Sequence, residues 1–368
     1  MRITAAVARA PDVDFTIETV EIDEPRPDEV LVRIVGVGLC HTDLVTKAGF
    51  APFSLPAVLG HEGAGIVERV GADVTKVAPG DRVAISFRSC GKCPRCGGGE
   101  PAYCAEFGML NFGGARPDGS KAIRAEGEAI ASNFFGQSSF GSYALTYERN
   151  LVKAPANAPL ELLGPLGCGV QTGAGGVMNA LACRAGSSIL ISGGGAVGLS
   201  AVMGAVVRGC KTIIVLEPHA SRRALALELG ATHALAPAET PDLAAAVNAI
   251  TPGGVDYGFD TTGVSAVQQE AMKCLAARGV FGFVGISPPG TPPPGDIMQI
   301  IGMGQTIKGI VEGDSNPDVF IPELIKLYQA GRFPIDKLVR TYPLSQINQA
   351  IADQHHGECV KVVLLPDG

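Results

Sequence analysis

Four cysteines, Cys90, Cys93, Cys96 and Cys104, stand in the spacing C-x2-C-x2-C-x7-C within one glycine-studded loop. Thiolates this close in sequence fit a tetrahedral Zn2+ and would pin the loop that carries them, so structural zinc is the first expectation. A disulfide knot fits less well. Ten cysteines in 368 residues is far below the density of a secreted disulfide scaffold, and no apolar signal segment follows the charged start at Met1 and Arg2. A reducing, cytoplasmic setting is expected, in which thiols stay available to a metal. A second, dispersed set, Cys40, the His61 and Glu62 pair and Cys168, supplies three ligand groups of the zinc type and leaves one coordination position for substrate. Cys183, Cys210, Cys274 and Cys359 read as ordinary small buried residues.

The length suggests two domains, and 46% hydrophobic against 18% charged residues leaves ample material for their cores. A net charge of -7 with no lysine or arginine run argues against a nucleic-acid partner. Ala185 to Val207 carries no charge and is long enough to span a bilayer, but its glycines divide it. It reads as a strand at Ile189 to Ser192, a turn at Gly193 to Gly198 and a helix from Val197 to Arg208, a buried βα unit and not a membrane span.

That turn has the G-x-G-x-x-G spacing. Gly193 would make the tight turn, Gly195 would admit a pyrophosphate, and Gly198 would allow close helix packing. A second strand, Thr212 to Leu216, ends at Glu217, nineteen residues past Gly198, where a carboxylate can accept hydrogen bonds from ribose hydroxyls. This favours NAD over NADP, although Arg222 and Arg223 follow closely and could accommodate a 2′-phosphate. Further alternation follows, with a helix at Ser221 to Leu229, a strand at Thr232 to Leu235, a helix near Leu243 to Ile250, and strands at Val255 to Asp260 and Gly279 to Gly285. The pattern predicts an α/β fold with a doubly wound parallel sheet. Upstream, short β-rich segments (Glu29 to Val35, Gly65 to Val70, Arg82 to Phe87) lie between glycine and proline turns and predict a separate β-rich domain. The prolines from Pro288 to Pro294 read as a loop, and Phe320 to Ala330 as a helix.

Over essentially its whole length the chain resembles the zinc-containing medium-chain alcohol dehydrogenases. The resemblance runs through Gly38-Leu39-Cys40-His41-Thr42-Asp43, Gly60-His61-Glu62-Gly63, the cysteine loop, Gly167-Cys168-Gly169 and the glycine turn. Within that family it looks most like the aryl-alcohol (benzyl-alcohol) dehydrogenases, in Phe134 to Phe140, Leu163 to Gly169 and Gly309 to Gly313. The resemblance implies a GroES-like catalytic domain (residues 1–169 and 314–368) and a Rossmann NAD-binding domain (170–313). It makes Cys40, His61 and Cys168 the ligands of a catalytic zinc and assigns the four-cysteine loop to a structural zinc, two ions per chain. Glu62 would approach the metal from behind and Asp43 would orient His61.

The same resemblance gives Thr42 the alcohol proton and puts His41 and Lys361 at the cofactor pyrophosphate. Phe87 would line an aryl-substrate pocket. The usual onward relay histidine is absent, since Val45 stands there. A homodimer or homotetramer joined near Thr306 to Val311 is also implied. The expected function is reversible, NAD-dependent oxidation of a primary aromatic or allylic alcohol to the aldehyde. Alternatives keep the chemistry on aliphatic or terpene alcohols or a hydroxymethyl thiol adduct, or leave a zinc-free reductase or a zinc-loop interaction protein.

Overall fold

A computed structural model describes residues 1–49 and 53–366 of the chain. These form two compact units: Met1–Cys168 with Asn316–Gln329 and the stretch from Ile335 onward, and Gly169–Ser315 with Ala330–Pro334.

The first unit is β-rich. An antiparallel five-stranded sheet runs in the order Ala57–Val58, Arg2–Ala8, Thr16–Ile22, Ile123–Ala125, Glu128–Ile130. A seven-stranded sheet is centred on Glu29–Gly38, a ten-residue run rich in Val and Ile, as a strand buried on both faces requires. Gly63–Val70, Tyr143–Tyr147 and Lys361–Leu365 all pair with it. Its register shifts between Ile34 and Gly36, where a Cβ on Gly36 would lie 2.6 Å from the Glu161 carbonyl oxygen. A glycine there lets the strand bulge against a neighbouring backbone. The C-terminal strand Lys361–Leu365 sets Val363 opposite Gly38, so the end of the chain lies beside the segment that leads into Cys40.

The second unit holds a six-stranded, wholly parallel sheet in the order His233–Leu235, Thr212–Leu216, Ser188–Ser192, Val255–Asp260, Leu275–Phe283, Thr306–Gly309. This is the doubly wound order, which reverses direction between Ser188–Ser192 and Val255–Asp260 and places ligand crevices at the carboxyl ends of the strands. Helix Ala196–Arg208 follows the first of these strands, so the uncharged segment from Ala185 is a βα unit. Among the described residues no helix is long and apolar enough to cross a membrane.

Candidate active site

Cys40, His61, Glu62 and Cys168 each offer a ligand atom, and these four atoms lie within 4.8 Å of one another. They arrive from three separate segments. Cys40 stands two residues past the end of the central strand and is the N-terminal cap of helix His41–Lys47; His61 and Glu62 precede strand Gly63–Val70; Cys168 closes the turn Gly164–Gly167.

Asp43, fully buried, ties the set together. One carboxylate oxygen accepts from His61 Nδ1 (2.9 Å) and the Gly60 amide (3.0 Å), and the other accepts from the Cys40 amide (3.0 Å). Holding Nδ1 this way presents Nε2 to the two sulfurs, and among the described residues the buried Nε2 has no hydrogen-bond partner. The electrostatics point the same way. The Cys168 thiol, with the positive charge at His61 and Lys361, holds the Cys40 thiol well below its usual range against the effect of burial. Burial disfavours a charged His61, but Asp43 outweighs it and raises the imidazole well above its ordinary value. Both shifts ask for positive charge where the ligand atoms converge, and the donor set of two thiols and an imidazole fits zinc.

The surroundings of this set differ in part from expectation. Lys361, expected at a cofactor pyrophosphate, is only 2% exposed; its ammonium reaches Glu62 Oε2 at 2.5 Å and donates to the Leu39 carbonyl at 2.9 Å. The pairing of its strand with Gly38 turns it inward, so it acts on the buried carboxylate instead. Burial pushes the Glu62 carboxyl up to about 7, while Lys361 draws it down. Phe87, expected against an aryl substrate, is 3% exposed and belongs to the hydrophobic core, its ring 5.7 Å from Phe107. Packing accounts for it.

The aromatic neighbours of His61 are Phe135, stacked at 4.5 Å, and Phe134, edge-on at 5.3 Å. Gln137 braces the same segment, donating to the His61 carbonyl at 2.8 Å and accepting from the Gly63 amide at 3.0 Å. These three residues were not expected at the site. Their placement depends on left-handed backbone at Asn133, Phe135 and Ser138, which only Asn133 hints at by residue type. Thr42, half-buried, has its hydroxyl 3.6 Å from the Cys40 sulfur, and His41 is exposed at the start of its helix.

Cys90, Cys93, Cys96 and Cys104 also converge within 4.8 Å, and all are free thiols. Backbone amides turn toward the sulfurs: Cys90 N–H to Cys104, Cys93 N–H to Cys90, Ala105 N–H to Cys93 and Glu106 N–H to Cys104, at 3.2 to 3.5 Å. The Ala105 amide is the chief cause of a Cys93 thiol lowered to about 6. Amides donating to sulfur stabilise thiolates, the form a metal binds.

In the second unit the glycines have the geometry a dinucleotide turn needs. Gly193 has φ +96°; a Cβ on Gly195 would meet nothing within 4 Å; a Cβ on Gly198 would lie 1.8 Å from the Gly193 carbonyl oxygen. Helix Ala196–Arg208 begins at Gly195 with no side-chain cap, leaving its first amides for an anion. Glu217, 3% exposed at the end of its strand, accepts from the amides of Gly194 (2.6 Å) and His219 (2.8 Å), which aims its carboxylate at the turn. Arg223 donates to the carbonyls of Glu217 and Pro218, whereas Arg222 is half-buried on helix Ala220–Glu228.

Comparison with known proteins bears on both units. Residues 26–156 match the alcohol dehydrogenase GroES-like domain and residues 196–330 the zinc-binding dehydrogenase domain. A geraniol dehydrogenase from Castellaniella defragrans is 49% identical over 98% of this chain and 97% of its own. An alcohol dehydrogenase zinc-binding domain protein from Burkholderia ambifaria superposes with a TM-score of 0.98 at 53% identity, covering 100% of each chain. A benzyl alcohol dehydrogenase from Acinetobacter calcoaceticus superposes with a TM-score of 0.96 at 44% identity, again covering 100% of both.

Proposed function

The chain belongs to the zinc-binding medium-chain alcohol dehydrogenases, and from that premise we propose that it oxidises a primary alcohol whose carbinol carbon adjoins an aromatic ring or a double bond, passing the hydride reversibly to NAD. The relatives support this substrate class because benzyl alcohol and geraniol share that feature. The carrying observation is the convergence of Cys40, His61 and Cys168, with no hydrogen-bond partner for His61 Nε2 among the described residues.

Zinc held by these three side chains would supply the Lewis acidity that lowers the pKa of a hydroxyl, and NAD would accept the hydride. What the chain itself does is hold and orient. Asp43 fixes the imidazole tautomer and ring direction. Lys361 holds Glu62 close to the ligand set. The Thr42 hydroxyl accepts the alcohol proton; Val45 cannot relay it, so the proton leaves through a ribose hydroxyl or water. Gly195 admits the pyrophosphate to the helix terminus, with exposed His41 as a further polar contact, and Glu217 accepts ribose hydrogen bonds and disfavours a 2′-phosphate. The four-cysteine loop would hold a second, structural zinc through its converging sulfurs. A cytoplasmic homodimer or homotetramer completes this reading.

The substrate assignment is tested by NADH formation across benzyl alcohol, cinnamyl alcohol, geraniol and short aliphatic alcohols. The conjugated alcohols are expected to lead in kcat/KM by tenfold or more, on the order of the discrimination a pocket gains from one larger apolar group. A lead for ethanol or propanol would remove it.

A further inference from the structure

Of the cysteines outside both ligand sets, Cys274 behaves as a packing residue. It is buried, its thiol donates to the Glu270 carbonyl at 3.3 Å, and burial pushes it up to about 12. Cys183 and Cys210 differ. Both are free thiols, and their side chains hydrogen-bond to each other. Nothing in the proposed reaction uses them.

Backbone bonds fix the two segments side by side. Cys183 precedes strand Ser188–Ser192, and Cys210 follows helix Ala196–Arg208. The helix ends at Gly209 with φ +75°, and the amides of Gly209 and Cys210 close onto the carbonyls of Val206 and Ala205 at 3.0 Å each. This left-handed cap sets the position of Cys210. Across the gap, the Gly186 amide donates to the Gly209 carbonyl and the Lys211 amide to the Ser187 carbonyl, both at 2.8 Å. Arg208 Nε donates to the Cys183 carbonyl at 2.8 Å, and Ser187 Oγ lies 3.6 Å from the Cys210 sulfur.

The two thiols are not equivalent. Cys183 is fully buried, whereas Cys210 is partly exposed. The bond from Cys183 is the chief cause of a Cys210 thiol lowered to about 7; the Ser187 hydroxyl and the Arg208 charge help, against burial and Asp256. The same contact, with burial, raises Cys183 and keeps it protonated. A reachable thiolate beside a sheltered thiol is the arrangement in which one sulfur is oxidised first and the other resolves it.

We propose that Cys183 and Cys210 form a redox site that hydrogen peroxide converts to an intramolecular disulfide, with Cys210 attacked first and Cys183 resolving. The Cys210 sulfur attacks one peroxide oxygen, the O–O bond breaks, and the departing hydroxide takes a proton from solvent, leaving a sulfenic acid. Cys183 sulfur then displaces the hydroxyl, which leaves as water with the Cys183 thiol proton. Two thiols and one peroxide give one disulfide and two waters. The bridge would tie the start of the strand to the end of the helix, at the end of the βα unit away from the glycine turn.

The test treats the zinc-loaded full chain with a modest excess of hydrogen peroxide, quenches with catalase, alkylates with N-ethylmaleimide and maps cysteines by mass spectrometry. A Cys183–Cys210 crosslink that dithiothreitol reverses is expected in the wild type. In Cys183→Ser, Cys210 should stop at a sulfenic acid that dimedone captures. In Cys210→Ser, oxidation of Cys183 should slow at least about tenfold, because the reactive thiolate is gone. The wild-type map decides whether the bridge forms even if a variant melts early. Both cysteines still open to alkylation, a crosslink from either to another cysteine, or undiminished oxidation of Cys183 in Cys210→Ser would each overturn the proposal.

Discussion

Asp43 shows how much one side chain contributes at the residue scale. Its carboxylate serves two backbone amides and one imidazole nitrogen while fully buried, so it fixes the position of two ligands at once. Asp43→Asn keeps the shape and removes the charge. The expected result is zinc affinity or turnover lowered about 10- to 100-fold, the usual cost of losing a group that orients a ligating histidine, measured by chelator competition and kcat/KM. Unchanged zinc retention would dismiss the role. Glu217 invites the parallel experiment. Glu217→Ala removes both the acceptor for a ribose and the acceptor for two amides, so it should narrow the NAD to NADP preference in kcat/KM and lower Tm together. An unaltered cofactor ratio would count against the ribose contact. At this scale residue type was enough to pick out Cys40, His61 and Cys168, whose ligand atoms the structure brings within 4.8 Å of one another. It was a poor guide for Lys361 and Phe87. Whether a lysine faces solvent or a buried glutamate depends on strand pairing more than three hundred positions away, which no local pattern encodes.

At the scale of elements, the glycine turn separates packing from binding within one motif. A methyl on Gly195 enters open space, while one on Gly198 must displace the Gly193 carbonyl. Gly195→Ala should therefore leave Tm within about a degree or two, since surface changes of this kind stay near ±0.5 kcal/mol, yet raise KM for NAD severalfold. Gly198→Ala should lower Tm as well as weaken the cofactor. Identical behaviour of the two in melting and in KM would show that the turn does not cradle a pyrophosphate. The elements of this unit were easy to read. Thr212–Leu216, Leu243–Ile250 and Val255–Asp260 appear at the expected bounds because apolar runs end at glycine, proline or charged residues. Leu275–Phe283 begins four residues earlier than Gly279, since Ala276 and Arg278 do not signal a strand without their neighbours. The turn Phe134–Gly136 was invisible as structure: left-handed backbone at Phe135 is imposed by packing around His61, not by local preference.

For the molecule as a whole, two kinds of sheet coexist in one chain. The first unit gathers its candidate metal ligands at turns of largely antiparallel sheets, and the second sets a helix terminus at the carboxyl end of a parallel strand. Alternation of glycine turns with apolar runs announced the parallel sheet and a separate β-rich unit, but not the pairing pattern of the latter, and the return of Lys361–Leu365 to pair beside Gly38 had no sequence signal. Both proposed metal centres lie in the first unit, so metal content and hydride transfer can be followed separately from cofactor binding. The most direct measurement is zinc content, NADH binding and benzyl-alcohol turnover on wild type and Cys168→Ala prepared together. About two zinc ions per chain should fall to about one, with turnover lost and NADH still bound, because only the centre with the open position is broken. Two ions in both proteins, or undiminished turnover in the variant, would contradict the ligand role on which the proposed chemistry rests.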